Sequence, residues 1–194
     1  ISSPVMPYNP GFDDLFSAVQ DDLIILYNFN GIYWPGENIN SLTTWASTGY
    51  TIKMENSATV VFGGDAITNL NHPVTIGTSY LPVPVPCQVS TATLFTPHID
   101  KLLLVRNIIG TQIYWPGFGI NTLENLIPGN AYLIMATNGF TLNFPGCQSK
   151  SGFIPELPEH VKPDLLWTFS SPTPSVHTIA VAGKAVSGLL VGDV

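Results

Sequence analysis

Residues 31–36 read GIYWPG and residues 112–117 read QIYWPG. Four tryptophans are available to the whole chain, and two of them are spent on this one motif. The identity extends past the turn. Across Ile32–Leu42 and Ile113–Leu123, eight of eleven positions agree: Ile-Tyr-Trp-Pro-Gly, then Ile-Asn, then Leu. Working outward, Leu15-Phe16 falls on Leu94-Phe95, and the match runs on to TVVFGG at 59–64 and FTLNFPG at 140–146. The register slips by two residues at Thr111-Gln112 and by one before Ala131, as expected where the chain turns. Upstream, SSPVMP from Ser2 stands opposite YLPVPVP from Tyr80. Self-similarity on this scale decides the fold, because it says that one structural unit occurs twice.

Each copy reads as mostly strand. The apolar runs LIILYNF (23–29) and LLLVRNI (102–108) have the composition of buried strands. The Tyr-Trp segment is extended and turns at its Pro-Gly. GYTIKM and AYLIMA precede TVVFGG and FTLNFPG, with Asn-Ser or Asn-Gly between them, which predicts hairpins. A short helix is expected at PGFDDLFSAVQ and at STATLFTPHID. Asp13-Asp14 and Ser90 stand at its start, where oxygens satisfy free N–H groups. The expected fold is therefore mainly β, of α+β type: two tandem pseudo-symmetric β-rich repeats, residues 1–72 and 73–147, each with one short helix. A proline-rich linker follows at 148–166. The start of a further β unit is expected at 167–194, unlike either copy.

Composition narrows the function. The chain has 194 residues, 45% hydrophobic, and only 10% charged against a usual share of about 25%. Its net charge of −7 sets 13 acids against six scattered bases. Nucleic acid is recognised by clustered positive charge, so that partner is not expected, nor is an anionic membrane surface. No apolar run is long enough to span a bilayer, so no membrane insertion is expected. The start at Ile1 without Met and the ending GLLVGDV read as a piece of a longer protein.

No catalytic constellation stands out, and the chain reads as a non-enzyme. Asp13-Asp14 and Asp21-Asp22 are adjacent pairs whose side chains diverge, fitting capping and solvation better than paired-carboxylate chemistry. There is no nucleophile elbow and no phosphate loop. His72, His98, His160 and His177 have unrelated surroundings, and GGDAITNLNH (63–72) lacks calcium-loop spacing. No cofactor or metal is expected. Cys87 and Cys147, the only cysteines, leave two readings open: a disulfide, or two small buried thiols.

The stretches ISSPV, IYWPG, INSL, GYTIKM and the closing GLLVGDV resemble paired modules in large secreted surface proteins of Bacteroidetes, cargo of type IX secretion. The resemblance covers essentially the whole chain and departs where AYLIM replaces GYTIK. It implies an extracellular or cell-surface location and a structural or adhesive role, with surface glycans or other surface proteins as partners. The alternative is a carbohydrate-binding module that stacks sugars on Tyr33, Trp34, Tyr114 and Trp115. Strand alternation places Ile32 and Trp34 on one face and Tyr33 on the other. With Ile32 inside, Trp34 is expected inside as a plug over its own turn, and the structural role is favoured over the ligand platform.

Overall fold

The computed structural model describes residues 1–147 and the strand Ser175–Val181. The expected linker lies outside the described residues, as does the expected third unit apart from that strand.

The chain enters through β1 (Val5–Pro7) into helix α1 (Phe12–Leu15) and a 3-10 turn at Ser17–Val19. There follow β2 (Leu23–Asn28), β3 (Gly31–Trp34), a 3-10 turn at Pro35–Glu37, β4 (Ile39–Asn40), β5 (Thr51–Met54) and β6 (Ala58–Ala66). Next come β7 (Asn71–Val74), β8 (Gly77–Leu81), β9 (Val89–Ser90), helix α2 (Thr91–Phe95) and a 3-10 turn at Thr96–His98. Strands β10 (Leu102–Asn107) and β11 (Ile113–Trp115) lead through a 3-10 turn at Pro116–Phe118 to β12 (Ile120–Asn121). The described part closes with β13 (Asn125–Leu126), β14 (Tyr132–Ala136), β15 (Phe140–Asn143) and β16 (Ser175–Val181). The protein is mainly β, with few helical residues.

Two sheets carry the body. One has the order β4-β3-β2-β5, the other β12-β11-β10-β14-β8, and every pairing is antiparallel. Leu26 faces Tyr33 and Ile52 in the first, and Val105 faces Tyr114 and Ile134 in the second. β2 and β10 each carry an irregularity near their start, between Leu23 and Ile25 and between Leu102 and Leu104. A bulge adds one residue to the side-chain alternation, so Leu23 and Leu26 are both buried, as are Leu102 and Val105. That explains why these runs read as continuously apolar rather than alternating.

The expected hairpins after β5 and β14 do not form. β6 pairs with β1 and β16, and β15 pairs with β7. A two-residue hairpin of the Asn-Gly kind needs positive φ at both turn residues, and neither Asn56-Ser57 nor Asn138-Gly139 adopts it. The chain uses those turns to leave the sheet for the next layer.

The two sheets meet at a few contacts. Ser2 N donates to Gly129 O (2.9 Å), Ser2 Oγ donates to Asn130 O (2.5 Å), and Val83 N donates to Ser2 Oγ (3.0 Å). Thr51 Oγ1 and Tyr80 Oη are 2.8 Å apart. Gly49 lies so close to Ala131 that an added Cβ would come within 2.7 Å of the alanine methyl. Only glycine lets these backbones approach so far.

Candidate functional site

The Pro-Gly corner is the feature to build from. Proline starts a 3-10 turn in both places, where its fixed φ costs nothing and its missing N–H is not needed. Trp34 and Trp115 lead in with nearly the same backbone, φ −132°, ψ 86° and φ −129°, ψ 84°. A left-handed residue ends each turn: Asn38 at φ 55° and Gly119 at φ 66°. Asn and Gly are the residues that tolerate that region, so a difference in sequence preserves one geometry. The turns close with Asn38 N donating to Pro35 O (3.1 Å) and Gly119 N to Pro116 O (3.0 Å).

The hydroxyl after Ile-Asn clamps the corner from the other strand. Ser41 Oγ accepts from Ile32 N (2.8 Å) and donates to Ile32 O (3.1 Å). Thr122 Oγ1 does the same with Ile113 N (2.9 Å) and Ile113 O (3.2 Å). Tyrosine hydroxyls fix the next segment, with Ala46 N donating to Tyr50 (2.8 Å) and Ile127 N to Tyr132 (2.9 Å). The motif thus specifies a corner, residue by residue.

The face assignment is the reverse of the expectation. Tyr33 and Tyr114 are buried, 1% and 6% exposed, whereas Ile32 and Trp34 are 38% and 36% exposed and Ile113 and Trp115 half-buried. Parity is set by the neighbouring strand, because Tyr33 stands opposite Leu26 and Tyr114 opposite Val105, both fully inside. Stacking reinforces it. The Tyr33 ring lies 5.4 Å from Phe12 and 6.4 Å from Phe16, and the Tyr114 ring 6.1 Å from Phe95. Trp34 is therefore not a core plug, and Tyr33 and Tyr114 cannot stack on a ligand. No four-ring platform exists.

What the corners present outward is a tryptophan with an isoleucine across the strands, Trp34 opposite Ile39 and Trp115 opposite Ile120. Both isoleucines are exposed, as is Phe118, whose ring centroid is 4.3 Å from that of Trp115. The Trp34 indole nitrogen lies 3.8 Å from where a Gly36 side chain would begin, so the ring leans over its own turn. Ile39, Ile120 and Phe118 were not among the candidates. Counting two positions on from the turn in Ile-Asn would have found the isoleucines, since cross-strand partners share a face.

Several titratable groups among the described residues make structural contacts. The Tyr33 hydroxyl lies toward Asp13 without a hydrogen bond of good geometry, and burial first, then this carboxylate, push its pKa to about 12. Asp13 Oδ2 accepts from Asn40 Nδ2 (3.3 Å), and Asp22 Oδ1 from Asn56 Nδ2 (2.7 Å). His98 stacks on Phe140 at 4.6 Å, and burial lowers the pKa of His72. Among the described residues no three His, Cys, Asp or Glu side chains gather as a metal group would. His160 lies outside the described residues, and of His177 only the backbone is described. No helix among them is long and apolar enough to cross a membrane.

Cys87 and Cys147 are joined in a disulfide that closes a 60-residue separation around the second sheet. Both lie against the core that contains Leu81, Val105 and Ile134.

No family model, curated protein or solved structure matches this chain.

Proposed function

We propose that this chain is a non-catalytic structural and adhesive module of an exported bacterial cell-surface protein, built from two tandem copies of one β-rich unit. The observation that carries the reading is the recurrence of one corner in three dimensions. Two sheets with the order β4-β3-β2-β5 and β12-β11-β10-β14 each end in the same Pro-Gly turn. Each turn is clamped by the same hydroxyl and presents the same outward Trp–Ile pair. A duplicated unit whose polar side chains are engaged in turns, caps and clamps suits a spacer that meets its partners through surface contacts. The disulfide supports an oxidising compartment outside the cytosol. The resemblance to paired modules of Bacteroidetes surface proteins agrees with both points.

The exposure of Trp34 favours a second reading, a carbohydrate-binding module, now restricted to Trp34 and Trp115 as stacking rings. A glycan array run on the protein and on a Trp34→Ala/Trp115→Ala variant separates the two. The structural and adhesive reading expects no glycan binding that depends on Trp34 and Trp115. Binding that disappears in the variant, with the circular dichroism unchanged, would replace it by the carbohydrate reading.

A further inference from the structure

β6 and β15 are matching strands, and each is tied to the segment that enters its own half of the chain. β1 pairs with β6, and the Tyr8 hydroxyl reaches Asp65 Oδ1 (3.4 Å). In the second half the entering segment is tied to the end of β15 by the Cys87–Cys147 bridge. The sequence match that sets Leu15 on Leu94 sets Tyr8 on Cys87, and the one that sets Phe62 on Phe144 sets Asp65 on Cys147. A hydrogen bond thus stands in one half where the other has a covalent bond.

The second attachment of each strand is reciprocal. β6 is followed in the chain by β7 but pairs with β16, and it is β15 that pairs with β7. The registers agree. Phe140 stands opposite Val74 and Leu142 opposite His72, while the matching Ala58 and Val60 stand opposite Val181 and Ile179. Each half therefore takes the strand that follows the other half.

The two exchanged strands differ in their tethers. β7 is reached from β6 through residues 67–70 and runs into β8 through residues 75 and 76, so its place is fixed within the chain. β16 is joined to the second half through residues 148–174. At about 3.3–3.6 Å per residue, that stretch can reach roughly 90 Å, enough to cross into a neighbouring molecule. The effective concentration of a tethered strand falls as its tether lengthens, so a strand from another molecule competes more readily for β6 than for β15. The ladder of main-chain bonds is the same whichever molecule supplies the strand.

We propose that β6 is an exchange site between two copies of this chain. Residues 175–181 of one molecule pair with β6 of a second, and the second returns its own strand, closing a two-fold dimer. The exchange keeps every β6–β16 pairing and changes only which molecule supplies the strand, which makes it a low-cost route to association. The inference rests on the reciprocal registers and the unequal tethers, independently of the scaffold reading.

The test uses two full-length variants, Val61→Cys and Thr178→Cys. Val61 is exposed and stands opposite Thr178, so a thiol there leaves the core alone and a short bis-maleimide can join the two positions. The native cysteines are bonded to each other and do not react. Neither variant can make a 61-to-178 link within one molecule. The two are mixed at a total of about 1 mM, where trans pairing competes with a tether, then unfolded in urea without reductant, refolded together and cross-linked. Linked peptides are identified by mass. A chain carrying both substitutions controls for the register. Exchange requires 61-to-178 links between molecules at about tenfold or more over 61-to-61 and 178-to-178 links, because paired positions meet far more often than colliding ones. Links inside the double variant with none in the mixture would overturn the proposal, since β16 would stay on its own chain. Equal amounts of all three links would overturn it in favour of association through another surface. No link in any sample would overturn it at its root, since β16 would not lie on β6.

Discussion

Where the first sheet sets Phe12 beneath its corner, the second has Thr91, and where the first has Trp45, the second has Leu126. The first core is aromatic: Phe12, Phe16, Tyr33, Trp45 and Tyr50 lie with ring centroids about 5 to 6 Å apart. The second keeps Phe95, Tyr114 and Tyr132, adds Phe144, and is otherwise filled by Leu, Val, Ile and Ala, with the Cys87–Cys147 bridge at its margin. Thr91 is fully buried and its hydroxyl has no partner. Register and turns match while core chemistry differs. The comparison teaches that hydrogen-bonded corners fix this geometry, and that the space behind them can be filled by rings or by aliphatic groups plus a covalent tie.

The hardest blow to that contrast should be Trp45→Ala. Trp45 is buried between Tyr50 at 4.8 Å, Phe62 at 6.2 Å and Phe12 at 6.3 Å. Truncation is expected to cost about 3–5 kcal/mol, read from urea denaturation. Trp45→Leu, which installs the side chain of the other core, should cost less. If the two variants were equally destabilised, ring stacking rather than volume would define the first core.

Removing the bridge is the matching test on the second side. A Cys87→Ser/Cys147→Ser variant loses the constraint on a 60-residue separation, worth about 4 kcal/mol in a chain-entropy account. Its thermal midpoint should fall, and hydrogen exchange should quicken around β10 and β14 more than around β2 and β5. A loss spread evenly over both sheets would show that the bridge holds the whole body.

Much of this architecture was legible in the sequence. The repeated Tyr-Trp-Pro-Gly, the apolar runs of β2 and β10 and the short helices were all marked by local chemistry. What misled was alternation. Reading Ile32 and Trp34 as inward assumed that the most apolar residues choose the face. In fact the hairpin register with Leu26 and the Phe12–Phe16 pair choose it; the first requires knowing how β2 and β3 pair, and the second lies outside a local window. The hairpin signals failed for a related reason. Asn-Ser and Asn-Gly announce turns, but whether the next strand pairs back depends on what else competes for it, and β1, β7 and β16 took those places. The Trp corners were found, whereas their isoleucine partners required knowing the register.

A smaller effect belongs to the first sheet, where the Ile1 amine donates to Tyr50 O (2.5 Å) beside β5. In a chain that begins at Ile1, burial lowers the pKa of the Ile1 amine from 8.0 to about 5, so between pH 5 and 8 the unfolded state binds more protons. Stability should therefore rise with pH across that window and level off above 8. The span is at most about 4 kcal/mol, and less to the extent that water reaches the half-buried residue. N-terminal acetylation should abolish the slope. Burial also lowers the pKa of His72, which adds a slope of the same sign, so the measurement is the difference between acetylated and free chains. Identical pH profiles for the two would mean that the amine is solvated and the β5 edge is open to water.

The mildest change should come from the two corners themselves. Trp34 is exposed and leans over Gly36, whereas Trp115 is half-buried and touches Phe118. Neither contributes a corner hydrogen bond through its side chain, since Ser41, Thr122 and the turn backbone supply those. Trp34→Ala is expected to cost about 1 kcal/mol or less, in the range of surface substitutions that lose some apolar contact. Trp115→Ala should cost more by about 0.5–1.5 kcal/mol, the worth of its aromatic pair. Guanidinium denaturation of both variants reads the difference. Costs near those of a core tryptophan would show that the rings hold the turns in place, and the outward pairs would lose their standing as contact surfaces. Small costs in both would leave an exposed and a half-buried tryptophan with little structural work, in the same place on each sheet.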